Sequence, residues 1–127
     1  MAEVLPVNED LSAFLDTDNE WHFPVEDENG ARLDPLGESW TADFEIADSN
    51  TKVPRLTTPA IPAIDPAEPT KSILKVIIPD TELQPGTAAD EFKEFDYVYS
   101  LKRTNDAKEK ILRWGAFHML RARRSIP

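Results

Sequence analysis

The sequence predicts an all-β protein: an antiparallel β-sandwich with an extended N-terminal arm and a Pro-rich insert. Three observations lead to this fold class. Several segments alternate apolar with polar residues, which is typical of strands that bury one face. Pro, Asn, Asp and Gly separate these segments, as they do at turns. Helix signals are scarce, and 11 of the 127 residues are Pro.

Four segments alternate regularly, and each is predicted to form a strand. The first runs through Trp21, Phe23 and Val25, and it ends before Asn29-Gly30, a preferred pair for a tight turn with positive φ. The other three run from Trp40 to Ile46, from Leu74 to Ile78 and from Phe95 to Leu101. The large side chains expected to fill the space between the two sheets are Trp21, Trp40, Phe44, Tyr97 and Trp114.

A fifth segment, from Lys110 to Arg121, carries apolar side chains on both alternating positions. This pattern indicates a long strand that is covered on both faces, and a helix is the competing interpretation. Gly115 in its middle favours the strand and marks either a bulge or a close approach of another backbone.

Residues 53–72 contain five prolines. Because Pro has no N–H to donate, this insert is predicted to be an extended loop or edge segment rather than a central strand. The expected organisation is therefore an N-terminal arm over residues 1–18, followed by one β-sandwich domain over residues 19–124 that contains the insert as a loop.

Charge is distributed unevenly along the chain, whose formal net charge is −10. Residues 1–51 contain 14 acidic side chains and one basic one, whereas residues 97–127 contain two acidic and eight basic ones. Either these ends balance each other within one fold, or they meet between chains. So acidic a chain is not expected to bind nucleic acid, and it has neither a membrane-length apolar run nor a secretory signal.

The residues that catalysis or metal binding requires do not assemble into a recognisable motif. The absence of Cys excludes thiol catalysis and Cys-ligated metals, and the four glycines are too far apart for a phosphate-binding loop. Asp16, Asp18 and Glu20 have the spacing of an EF-hand start, but Trp21 occupies the position where that loop requires Gly. We therefore expect a protein that is not an enzyme and holds no cofactor or metal.

Three parts of the sequence carry short motifs that occur together in one family. They are the strand and turn from Trp21 to Asp34 with the strand from Ser39 to Ala47, the strand Tyr97–Leu101 that follows the Thr81–Gly86 segment, and the segment Ile111–Phe117 with its central Gly. Together they resemble the immunoglobulin-like β-sandwich domains of tailed-bacteriophage tail and baseplate proteins, such as the N-terminal domain of baseplate upper proteins. The resemblance implies a non-catalytic virion part that forms rings or trimers and attaches other virion proteins.

On this basis we expect a tail, baseplate, neck or fibre-attachment component that is made in the host bacterial cytoplasm and located in the virion. Its expected partners are identical copies and other virion proteins, not a membrane, nucleic acid or glycan. The residues expected to make these contacts are Phe14, Pro59, Pro62, Arg121, Arg123 and Arg124. The alternative is a carbohydrate-binding β-sandwich module, which would require exposed, coplanar tryptophans.

Overall fold

The structure is a computed structural model that describes residues 6–15, 18–49, 51–79, 96–104 and 110–121. These residues form eight strands and no helix, so the predicted all-β class is confirmed, and none of them belongs to a helix able to cross a membrane. The strands are β1 (Val7–Asn8), β2 (Leu11–Leu15), β3 (Asn19–Phe23), β4 (Ala42–Asp48), β5 (Pro54–Ile64), β6 (Ser72–Ile78), β7 (Asp96–Arg103) and β8 (Lys110–Arg121).

The strands form one mixed sheet that curls into a half-barrel. Their order is β1, β8, β7, β4, β5, β6, β3, and β2 follows β1 along the same edge of β8. Neighbouring strands are antiparallel, except that β1 and β2 run parallel to β8. The curl brings the last strand back towards β8, where the rings of Trp21 and Phe117 lie 5.6 Å apart. The concave side of the sheet therefore encloses the core.

Phe44 is the centre of an aromatic cluster on the concave side. Its fully buried ring lies 5.3 to 6.1 Å from four other rings, those of Trp21, Phe23, Tyr99 and Phe117. Of the other large side chains predicted to lie inside, Trp40 and Tyr97 are buried, and Trp21 packs half-buried against the cluster. The predicted burial of Trp114 is wrong, because that side chain is 43% exposed.

A bulge in β8 explains why Trp114 faces outwards. Leu101 pairs with Arg113, whereas the next residue of β7 pairs with Ile111, so Leu112 is an extra residue in β8. Leu112 is buried in the core although it precedes the inward-facing Arg113. The bulge therefore shifts the alternation and leaves Trp114 on the convex side.

The Pro-rich stretch also differs from its prediction as a loop. Residues 54–64 form β5, which lies inside the strand order, and only residues 65–71 form a connection to β6. β5 pairs with β4 through residues 54–60 and with β6 through residues 61–64. Because each half has a partner on one side only, a proline there loses no ladder bond when its nitrogen faces the unpaired side.

The predicted N-terminal arm needs a similar correction, since residues 7–8 and 11–15 are strands of the sheet. On β2, Leu11 and Ala13 are buried in the core cluster, while Ser12 and Phe14 between them are exposed. Burial of this alternating apolar face holds the segment against β8.

A cluster of polar side chains joins three loops at one end of the sheet. Arg32 contacts Asp65 at 3.2 Å and Glu68 at 3.3 Å, and it donates a hydrogen bond to the Ser72 carbonyl at 2.9 Å. The hydroxyl of Ser72 in turn donates to the Asp34 carboxylate. These bonds connect the start of β6 to the loops on either side of it, and they satisfy most of the polar groups that become buried there.

We expect this cluster to make the fold less stable in acid. The Ala67 N–H, which donates to Asp65 at 2.8 Å, and then Arg32 hold the pKa of that carboxyl below its usual 3.8. A carboxyl whose pKa is lowered by folding stabilises the fold above its unfolded pKa, and this contribution is lost as the pH falls through the folded pKa. The melting temperature should therefore drop below about pH 4. Asp65→Asn should flatten that drop, and an unchanged pH profile in this variant would contradict the prediction.

Candidate interaction surface

The N-terminal strands lie along the outer edge of β8 and thereby join the two ends of the described chain. β1 pairs with residues 113–114 and β2 with residues 117–121. Between them, the Glu9 N–H donates to the Trp114 carbonyl at 3.0 Å, and the Asp10 side chain accepts the Ala116 N–H at 3.1 Å. The hydrogen-bond ladder thus continues across the break between β1 and β2.

Gly115 allows the backbone of Glu9 to lie directly on β8. A Cβ atom at Gly115 would stand 2.8 Å from the carbonyl carbon of Glu9 and closer still to its oxygen, so no other residue fits without a shift. The close backbone approach predicted at Gly115 is therefore confirmed. Tyr99, which pairs with Gly115, donates its hydroxyl to the Glu9 carbonyl at 2.6 Å. Burial raises the pKa of Tyr99 to about 12, so this donor keeps its proton at neutral pH.

Two polar side chains bridge the seam between the end strands of the curled sheet. At one end, the Asn19 carboxamide on β3 accepts the Phe14 N–H at 3.3 Å and donates to the Phe14 carbonyl at 3.1 Å. At the other end, Arg113 forms an ion pair with Glu9, and its guanidinium lies 5.1 Å from the centre of the Phe23 ring. Side chains therefore occupy part of the exposed edges, which otherwise invite pairing with other strands.

The cavity beside Arg113 is small. Its walls come from β1, β7, β8 and the end of β3, and its volume is about 50 Å³. Typical ligand pockets enclose roughly 300–1,000 Å³, so this space does not fit a cofactor or drug-sized molecule. In the described ranges, no three His, Cys, Asp or Glu side chains are placed to hold a metal ion.

The convex side of β8 carries an apolar stripe, which we call the β8 face. Ile111 is 47% exposed and Trp114 is 43% exposed, and Ala116 follows them on the same side with Val98 of β7 opposite it. The prediction that β8 is covered on both faces therefore holds only for the concave side within the described part of the chain. On the convex side these apolar groups meet solvent.

The structure separates the predicted contact residues into two groups. Phe14, which is 47% exposed, and Arg121 occupy neighbouring positions in the pairing of β2 with β8. Pro59 and Pro62 lie on β5, with Pro59 exposed and Pro62 half-buried, and the strands β4 and β7 separate them from β8. The two remaining predictions lie outside the described residues and are Arg123 and Arg124.

Sequence reasoning missed the exposure of Ile111 and Trp114, although apolar residues on both alternating positions of β8 were the available signal. No model of a known protein family matches the sequence, and no curated protein matches it. The resemblance to phage tail and baseplate domains accordingly stays a prediction.

Proposed function

We propose that the chain is a non-catalytic structural protein of a tailed-phage virion, in the tail, baseplate, neck or fibre-attachment region. It assembles there with identical copies and with neighbouring virion proteins. The observation that carries this proposal is the β8 face, where apolar side chains stand exposed on a strand whose other side packs into the core.

Covering the β8 face would stabilise an assembly. Burying a large apolar side chain is worth about 1.5–3 kcal/mol, of which Ile111 and Trp114 have realised only part in the isolated chain. Trp is also enriched among the residues that dominate interface energies. In a ring or trimer every subunit presents the same face, so a modest contact is repeated around the symmetry axis.

The finer fold assignment, an immunoglobulin-like domain, belongs to the same proposal. It is supported by the motifs between about residues 20 and 121 and by the antiparallel strands β3 to β8 that surround an aromatic core. The parallel strands β1 and β2 are additions to such a domain, and they lie beside the β8 face.

The combined substitution of Ile111→Ser and Trp114→Ser tests the proposal. We expect the variant to fold, because both side chains are exposed, but to be incorporated into particles of the encoding phage far less than the wild-type chain. Ile77→Ser is the matched control, since Ile77 is 45% exposed on β6, away from the β8 face. Mass spectrometry of washed particles would measure incorporation. Absence of the wild-type chain from particles, or equal incorporation of all three proteins, would contradict the proposal.

A carbohydrate-binding module is the second candidate, and the exposed indole of Trp114 favours it because sugar rings stack on such surfaces. The other two tryptophans count against it, since Trp40 is buried and Trp21 packs against the core. Glycan-array binding that Trp114→Ser abolishes, together with absence from particles, would favour this candidate.

A further inference from the structure

We propose that the outer edge of β8 is a strand-acceptor site, and that residues 7–15 of a second copy occupy it in the assembled protein. The chain's own residues 7–15 occupy the same site in the structure. This inference rests on the proposed assembly with identical copies and specifies how two copies connect.

The register of this pairing does not depend on chain connectivity. β1 and β2 are parallel to β8, and a parallel pair is joined by a long crossover rather than by a tight turn. Here the connection between the paired strands comprises nearly the whole fold, so no short loop fixes which copy supplies the segment. A second copy can therefore make every contact of the pairing with the same geometry, which is the condition for strand exchange.

The acceptor edge is selective for this segment. Gly115 leaves room for a backbone at the position of Glu9, and the Tyr99 hydroxyl provides a donor for the Glu9 carbonyl. The Ala116 N–H requires an acceptor where Asp10 now supplies its carboxylate. An unrelated strand without a carboxylate at that position would leave the Ala116 N–H unpaired, which disfavours it.

Charge and tether length also favour a second copy as the donor. Residues 6–15 contain Glu9 and Asp10 and no basic residue, whereas β8 contains three basic residues and no acidic one. In sequence, residues 16–18 alone join β2 to β3, and short hinges of this kind favour exchange between copies. Since exchange replaces each contact by an identical one, high local concentration is enough to favour it.

Disulfide trapping tests the inference in the full chain, because the protein has no native Cys. Ser12 and His118 are paired in register, and the spacing of paired strands suits a disulfide. A Ser12→Cys chain and a His118→Cys chain carrying different tags are co-expressed and oxidised. We expect covalent heterodimers at least about tenfold more abundant than from Ser12→Cys with Thr57→Cys, because only the paired register raises the effective concentration of the two thiols. Thr57 is an exposed position on β5 that serves as the collision control.

The double variant Ser12→Cys with His118→Cys gives the complementary test. When it is oxidised as a monomer, its own segment is locked onto β8, and we expect it not to assemble until the disulfide is reduced. Heterodimer yields no higher than those of the Thr57→Cys control, or normal assembly of the locked monomer, would overturn the exchange. Assembly of the locked monomer would still agree with the proposed function, whereas absence of the wild-type chain from particles would overturn both.

Discussion

Phe44→Ala should lower the free energy of unfolding by roughly 3–5 kcal/mol, the range found when a buried phenyl ring is deleted. Phe44 is fully buried and contacts four other aromatic rings, so the cavity left by the substitution would lie among side chains that hold one another in place. Domains of this size are stable by only about 5–15 kcal/mol, so a large share of the total would be lost. Urea unfolding measures the change.

Phe14→Ala is the matched control for the core substitution. It removes the same side chain from a position that is 47% exposed on β2, so the free energy of unfolding should change by no more than about 0.5 kcal/mol. Equal destabilisation by the two substitutions would contradict the placement of the core around Phe44.

Gly115→Ala should release the N-terminal strands and cost roughly 1–3 kcal/mol, the range for an overpacked contact. The new Cβ would overlap the carbonyl of Glu9, which also accepts the hydroxyl of Tyr99. Because neither backbone has room to yield, the segment must move away from β8. Hydrogen exchange should then show faster exchange of the amides of residues 7–15, with β4 and β6 unchanged.

Gly30→Ala separates the overlap from the conformational role of glycine. Gly30 has a φ of 81°, and a Cβ there would contact nothing within 4 Å. Its replacement should cost about 1–2 kcal/mol through backbone strain alone and leave the amides of residues 7–15 protected. If the two Gly variants exchange alike in residues 7–15, the packing of Glu9 on Gly115 is wrong.

The sequence was informative where the structure is local and regularly alternating. The strands around Trp21, Phe44, Val76 and Tyr99 follow from period-two patterns, and the close approach at Gly115 follows from a glycine inside a strand. These features depend on neighbouring residues in the chain, so reading the sequence is sufficient to predict them.

The features that were missed depend on distant residues. β1 and β2 become strands only because β8, about a hundred residues further on, offers an edge to them, and β5 accommodates its prolines only because its partner changes from β4 to β6. The exposure of Trp114 depends on the bulge at Leu112 and on Arg113 facing inwards towards Phe23 and Glu9. The sequence alone contains no pattern that marks this shift. The candidate surface therefore became visible only once the strands were placed side by side.

Hydroxyl-radical footprinting of Trp114, in the isolated chain and in assembled particles, tests the proposed role of the β8 face most directly. Trp114 is exposed in the isolated chain, whereas Trp40 is buried there and provides an internal reference. We expect the oxidation of Trp114 to slow severalfold on assembly, towards the rate of Trp40, because a neighbouring copy covers the indole. Equal oxidation of Trp114 in both states would show that the β8 face stays open to solvent and would contradict its role in assembly.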